Sequence, residues 1–100
     1  MITALFFTVS LLNANFPLCT DTTGQYYPEI TFANNQFNVF WCDLRYYSTQ
    51  GNYALMGSRV SQTGSVLDPE GKTLFIGQNG YECKVAYDGT KFLVVLRDSC

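Results

Sequence analysis

The stretch FANNQFNVFWCD at residues 32–43 recurs as YDGTKFLVVLRD at residues 87–98, after a shift of 55 positions. Three pairs of positions are identical, Phe37 with Phe92, Val39 with Val94, and Asp43 with Asp98. Trp41 in the first copy corresponds to Leu96 in the second. Because internal repeats determine an architecture before any single element does, this stretch decides the fold.

Each copy is predicted to form a β-hairpin. Asn34-Asn35 and Gly89-Thr90 occupy the tips, and Asn and Gly tolerate the positive φ angles of tight hairpin turns. The strand after each tip is apolar on both of its faces, which is typical of a strand packed between two layers. A two-residue loop at Gly89-Thr90 also places Cys83 opposite Leu96 in the second hairpin.

The residues between the hairpins supply two further strands. Tyr53–Val60 is predicted to form a third strand, and Gln62–Ser65 a turn. The fourth strand lies at Val66-Leu67 or at Leu74–Ile76, since both segments are short and apolar. Four strands in roughly 50 residues, with no sustained helical periodicity, indicate an all-β fold with the period and strand count of a propeller blade.

Four segments resemble the blades of β-propeller repeats found in large secreted and cell-surface proteins. They are YPEI at residues 27–30, GSRV and TGSVLDP at residues 57–60 and 63–69, and the sequence of residues 85–98. The resemblance covers about residues 16–100. It implies antiparallel four-stranded blades in an incomplete propeller, with a first blade at residues 15–75 and the first hairpin of a second blade at residues 76–100.

Two positions depart from the pattern of these repeats. Leu96 stands where the repeats usually carry Trp, and Asn34-Asn35 replaces the usual Asp-Gly turn of the first hairpin. Both replacements are compatible with the fold, and they indicate a divergent copy.

The resemblance also sets expectations for function. A closed propeller needs roughly four to eight blades, so the expected partners are further blades of the same protein or other copies of this chain. We expect a non-enzymatic structural or interaction module that also contacts a protein or carbohydrate ligand. Two alternatives stay open: a fragment of a propeller glycoside hydrolase (sialidase-like) or carbohydrate-binding lectin, and a small disulfide-stapled β domain that folds alone.

Composition excludes several function classes. Histidine is absent, which removes Ser-His-Asp and Cys-His nucleophilic pairs and every histidine-containing metal site. Six Lys and Arg residues against eight Asp and Glu residues give a net charge of -2, so no basic patch is expected to bind nucleic acid. We expect no metal and no cofactor.

The recurring carboxylates, Asp43 and Asp98, are predicted to be structural. An Asp at the end of a strand accepts backbone N–H groups of the following turn, and no Asp-x-Asp-x-Asp calcium loop is present. Arg45, Arg59 and Arg97 would suit a sialidase-like site, but glycoside hydrolysis commonly needs facing carboxylates, and such propeller sites draw residues from many blades. The chain is therefore expected not to be an enzyme.

The adjacent tyrosines Tyr46 and Tyr47 are candidates for a contact surface. A tyrosine offers an apolar face and a polar tip, which suits a carbohydrate or peptide ligand. Ordinary packing within a blade is the alternative role for both residues.

Four cysteines contain no Cys-x-x-Cys pair, so the sequence predicts either disulfides or buried thiols. Cys42 and Cys83 are a candidate disulfide across the interface between two blades. A bridge from Cys83 to Cys100 is disfavoured, because four residues of offset along a strand separate them by about 13 Å.

The first 14 residues contain an apolar run from Ala4 to Leu12. The run is too short to cross a bilayer, and its length suits the core of a cleaved signal peptide at residues 1–14. A strand belonging to a preceding unit is the alternative, because the run is rich in β-forming residues. We therefore expect an extracellular or cell-surface location and no membrane span.

Overall fold

The computed structural model describes residues 8–11, 14–78 and 82–97. Its elements are β1 (Thr8–Leu11), β2 (Ala14–Pro17), β3 (Gln25–Ala33), β4 (Gln36–Asp43), α1 (Tyr47–Gln50), β5 (Tyr53–Ser61), β6 (Lys72–Gln78), β7 (Glu82–Tyr87) and β8 (Phe92–Arg97). The strands form a pair β1-β2, a four-stranded antiparallel sheet in the order β3-β4-β5-β6, and a pair β7-β8. The predicted β-rich, antiparallel architecture is therefore confirmed at this coarse level.

The first hairpin turns at Asn34-Asn35, as predicted. The φ angles of these two residues are 57° and 59°, which is the left-handed pair of a type I′ turn. Ala33 and Gln36 then face each other as the first pair of the ladder. The asparagines provide this conformation at low cost, since their short polar side chains tolerate the left-handed region.

The second hairpin has the predicted register, with Cys83 opposite Leu96. Its tip is closed by the Asp88 carboxylate, whose Oδ1 accepts the backbone N–H groups of Thr90 and Lys91, both at 2.9 Å. Gly89 adopts a φ of 105°, which a residue with a side chain rarely adopts. The turn chemistry therefore sets the register of this hairpin.

The fourth strand of the main sheet is β6, which contains Leu74–Ile76. The alternative placement at Val66-Leu67 is wrong, because Val66 makes a single isolated bridge to Val60. The chain turns immediately afterwards, where the buried Asp68 accepts the backbone N–H of Arg59 at 3.0 Å and Gly71 donates its N–H to the carbonyl of Asp68. Pro69, which lacks an N–H, also prevents this segment from continuing a ladder.

Strand β4 is buried on both faces, as its composition predicted. On one face lies the first core, which consists of Leu18, Cys19, Val39, Trp41, Ala54, Met56 and Val60. On the other face lies the second core, which consists of Phe40, Leu55 and Cys83 with the partly buried Val85, Phe92, Val94 and Leu96. The chain segment after β2 covers the first face, and the β7-β8 pair covers part of the second.

Replacing Gly71 with Ala tests how tightly the first core is packed. A Cβ atom at Gly71 would lie 2.7 Å from two ring atoms of Trp41, and the φ of 84° is itself unfavourable for alanine. We expect Gly71→Ala to lower the free energy of unfolding by about 3 kcal/mol, from overpacking and backbone strain together. Urea denaturation followed by circular dichroism measures this loss.

Gly51→Ala is the matched control for that variant. Gly51 has a similar φ of 71°, but nothing lies within 4 Å of its added Cβ. Its expected loss is about 1 kcal/mol, from backbone strain alone. Equal losses in the two variants would contradict a tight contact between Gly71 and Trp41.

Near the amino terminus, β1 pairs with β2 in an antiparallel hairpin. Residues 1–7 and 12–13 lie outside the described part of the chain, so the cleavage of a leader at residues 1–14 stays a prediction. A search of the described residues finds no helix with the length and apolar character to cross a membrane.

Candidate functional site

The repeated hairpins stack on each other across the two sheets. Lys84 of β7 forms an ion pair with Glu29 of β3 at 3.4 Å, and these residues are 55 positions apart, as in the sequence repeat. The rings of Phe40 in β4 and Phe92 in β8 meet edge to face, with centroids 5.5 Å apart. The second hairpin therefore lies over the first one, with β7 above β3 and Phe92 of β8 against β4.

A cleft of about 500 Å³ opens beside this contact, between β8 and the strands β5 and β6. Its floor contains Phe40, Leu55 and Leu74, and its wall contains Phe92 and Val94 of β8. The volume of the cleft lies within the range of ligand pockets, and most of its exposed lining is apolar. We name it the β8 cleft.

Gly57 shapes the floor of the β8 cleft. A Cβ atom here would lie 3.0 Å from the Cδ1 atom of Leu74 and 3.4 Å from that of Phe40. The absence of a side chain lets those two residues approach each other over strand β5, which makes the floor continuous.

Charged side chains line the rim of the β8 cleft: Arg59, Asp68, Lys72 and Lys91. Arg59 donates to both carboxylate oxygens of Asp68, at 2.8 and 3.0 Å, and Lys72 lies 3.6 Å from the same carboxylate. The hydrogen bonds from Arg59 lower the pKa of the Asp68 carboxyl to about 2. Lys91 lies 3.3 Å from the carboxylate of Asp88, so each cation of the rim has an acidic partner.

The lowered pKa of Asp68 predicts a pH dependence of stability. A carboxyl whose pKa is depressed by folding stabilises the native state above its unfolded pKa of 3.8, and this contribution is lost as the pH falls towards about 2. Asp68→Asn should therefore be less stable than the parent at pH 6, and the difference should shrink as the pH falls through this range. Urea midpoints measured at intervals from pH 6 to pH 2 check it, and a difference independent of pH would contradict it.

Asp43 lies fully buried at the end of β4. Its carboxylate accepts the indole N–H of Trp41 at 2.8 Å and the backbone N–H of Arg45 at 2.8 Å, the second of which is the expected turn contact. The Arg45 guanidinium donates to both carboxylate oxygens at 3.0 Å, and one of its nitrogens also donates to the carbonyl of Glu70 at 2.9 Å. Every strong acceptor site of Asp43 is thus occupied by the fold itself.

The other repeat positions are placed as follows. Trp41 lies in the first core with no exposed surface, whereas Leu96 is partly buried against the second core. Asp98 lies outside the described residues. Arg45 and Arg59, considered above for a sialidase-like site, are both held in ion pairs with carboxylates of this chain, and the side chain of Arg97 is not described.

The structure separates the two candidate tyrosines. Tyr46 packs against the first core, and its hydroxyl forms a hydrogen bond of 2.7 Å with the Thr73 hydroxyl. Tyr47 is exposed in α1, and its ring lies 5.4 Å from that of Tyr53. A contact surface at this point therefore stays a prediction for Tyr47, while Tyr46 has a packing role.

Cys42 and Cys83 are both buried and are thiols in this structure, as is Cys19. Burial raises the pKa of each of the three thiols to about 11, and Cys83 contributes to the increase at Cys42. A disulfide between Cys42 and Cys83 stays a prediction. Cys100 lies outside the described residues.

Reasoning from the sequence missed the β8 cleft and its rim. The Arg59–Asp68 ion pair joins positions nine residues apart, and Lys72 lies four residues after Asp68. A signal was nevertheless present: the second hairpin repeats β3 and β4 but lacks a counterpart of β5 within the described residues. Such a hairpin leaves part of the underlying sheet uncovered.

Within residues 8–11, 14–78 and 82–97, no cluster of three or more Cys, Asp or Glu side chains is arranged to hold a metal ion. No family model, curated protein or solved structure matches the chain.

Proposed function

We propose that this chain is a non-enzymatic structural and interaction module, composed of blade repeats of a secreted or cell-surface β-propeller. Its partners are further blades of the same protein or other copies of this chain. The stacking of the second hairpin on the first sheet carries the proposal. An ion pair and a ring contact join the two repeated hairpins across this interface. The residues of the ion pair are separated by the repeat spacing, as expected for neighbouring blades.

The outer surface of β8 supports the same conclusion. Leu93 and Val95 lie on the face of β8 that points away from the second core, and they are 65% and 57% exposed. By the repeat shift, Val95 corresponds to Phe40, the residue on which Phe92 packs in the observed interface. A third hairpin stacked in the same manner would cover these exposed side chains, and exposed apolar surface of this kind marks an association site.

Self-association of the full chain tests the proposal. Light scattering coupled to size exclusion should show a mass that rises above one chain as the concentration increases from low micromolar to near-millimolar. The double variant Leu93→Lys/Val95→Lys should remain a folded monomer, while a control with lysines at the exposed positions Ser48 and Gln62 should behave as the parent. A parent mass of one chain at every concentration, or association unaffected by the double variant, would overturn stacking through this face.

A further inference from the structure

We propose that the β8 cleft and the outer edge of β8 together bind an extended strand of another polypeptide. The strand would run antiparallel to β8, in the place that β5 occupies beside β4. This inference rests on the proposed function, since it identifies the kind of partner that the module takes.

The edge of β8 supplies the backbone part of the site. In the main sheet β4 lies between β3 and β5, whereas β8 has only β7 as a neighbour among the described residues. Backbone N–H and C=O groups on the side of β8 away from β7 are therefore available for a further ladder. An exposed edge of this kind is the usual place where an extended peptide adds to a sheet.

The β8 cleft supplies the side-chain part of the site, and it lies on the same side of β8 as the edge. A strand paired with β8 would direct every second side chain towards the face that carries Phe92 and Val94. These side chains would enter the cleft above Leu55 and Leu74. The cleft also continues the interface at Phe40 and Phe92, so an added strand extends an existing apolar contact.

The sequence of β5 indicates the chemistry of the partner. In the main sheet, Ala54, Met56 and Val60 of β5 are buried in the first core, which is the face equivalent to the one that Phe92 and Val94 present. The partner strand should therefore carry apolar residues opposite Phe92 and Leu96, as β5 has Val60 and Met56 at the equivalent positions, and a small residue opposite Val94, as β5 has Ser58. Ser61 of β5 pairs with Gln36, which corresponds to Lys91 by the repeat shift, and Lys91 already forms an ion pair with Asp88 at 3.3 Å, so an uncharged residue suits this end of the partner.

A peptide with the sequence of residues 53–61, carrying a fluorophore at its amino terminus, is the probe for this site. Fluorescence anisotropy with the full-length chain should show saturable binding. A peptide with Val60→Lys should lose about tenfold or more in affinity, because Val60 pairs with Phe37, which corresponds to Phe92 of the cleft, and the variant would bring a charge into the apolar cleft.

Leu74 and Phe75 provide a matched pair of protein variants. They are 50% and 49% exposed, but only Leu74 lines the β8 cleft. Leu74→Lys should weaken binding of the 53–61 peptide by about tenfold or more, while Phe75→Lys should bind as the parent does. Hydrogen exchange should show new protection at alternate amides of β8 when the peptide is bound.

The outcomes separate this inference from the proposed function. Failure of the peptide to bind, or equal effects of Leu74→Lys and Phe75→Lys, overturns strand addition even when the chain still self-associates through Leu93 and Val95. Strand addition is also overturned if the parent binds no peptide and Leu74→Lys abolishes self-association, because the cleft would then be filled by a second copy of the chain. Peptide binding by a chain that is monomeric at every concentration supports strand addition and overturns stacking.

Discussion

Replacing Asp43 with Asn is expected to lower the free energy of unfolding by roughly 3 kcal/mol. Asp43 has no exposed surface, and the side chain of its ion-pair partner Arg45 is 17% exposed. An amide can accept at only one of its two polar atoms, so the variant leaves the guanidinium poorly compensated and turns an NH₂ group towards the donors that surround it. The Trp41 indole N–H or the Arg45 guanidinium then loses its acceptor.

Chemical denaturation followed by circular dichroism measures this loss without relying on the fluorescence of Trp41, which contacts Asp43 directly. Asp88→Asn is the control, because that carboxylate is 54% exposed and its contacts, with Thr90 and Lys91, lie within the tip of the second hairpin. The double variant Asp43→Asn/Arg45→Met should be less destabilised than the sum of its single variants, since it leaves no buried charge without a partner. Additive losses would contradict a coupled pair.

The Asp43 network also explains why one carboxylate matters to several elements. Arg45 joins the end of β4 to the carbonyl of Glu70, which directly precedes Gly71. Gly71 in turn lies against the ring of Trp41. The ion pair thus fixes the chain at the start of β6, and β6 supplies Leu74 to the floor of the β8 cleft.

Local chemistry explains which parts of the fold were predictable from the sequence. The turn at Asn34-Asn35 and the turn at Gly89-Thr90 each require positive φ, and few residue types tolerate it. The register of both hairpins follows from the lengths of their loops. The burial of β4 on two faces follows from its continuous apolar sequence.

Long-range contacts explain why other parts were not predictable. Val66-Leu67 and Leu74–Ile76 are equally apolar, but the Asp68 side chain occupies the backbone N–H of Arg59, so the first segment makes only an isolated bridge to β5 and no ladder. Tyr46 and Tyr47 have the same side chain, yet one packs inwards and the other is exposed. The β8 cleft forms where β8 meets strands that are distant in sequence, so no local pattern encodes it.

Replacing Phe40 with Ala is expected to cost about 3 kcal/mol and to uncouple the β7-β8 pair from the main sheet. Phe40 is 7% exposed, belongs to the second core and meets the ring of Phe92. Removal of the Phe40 ring takes away the aromatic contact between the two repeated hairpins and widens the β8 cleft. The first core lies on the opposite face of β4, so its packing should persist.

Hydrogen exchange locates the effect of Phe40→Ala. Amides of β7 and β8 should exchange faster than in the parent, while the amides that join β4 to β5 should retain most of their protection. Phe32→Ala is the control, because Phe32 is 53% exposed and belongs to neither core. A uniform loss of protection over both sheets would show that the hairpins fold as one cooperative unit, and it would contradict a stacked pair of separable repeats. Selective loss in β7 and β8 would instead mean that stacking energy, rather than a shared ladder, holds the second hairpin in place, since the two sheets share no strand pairing in the described chain.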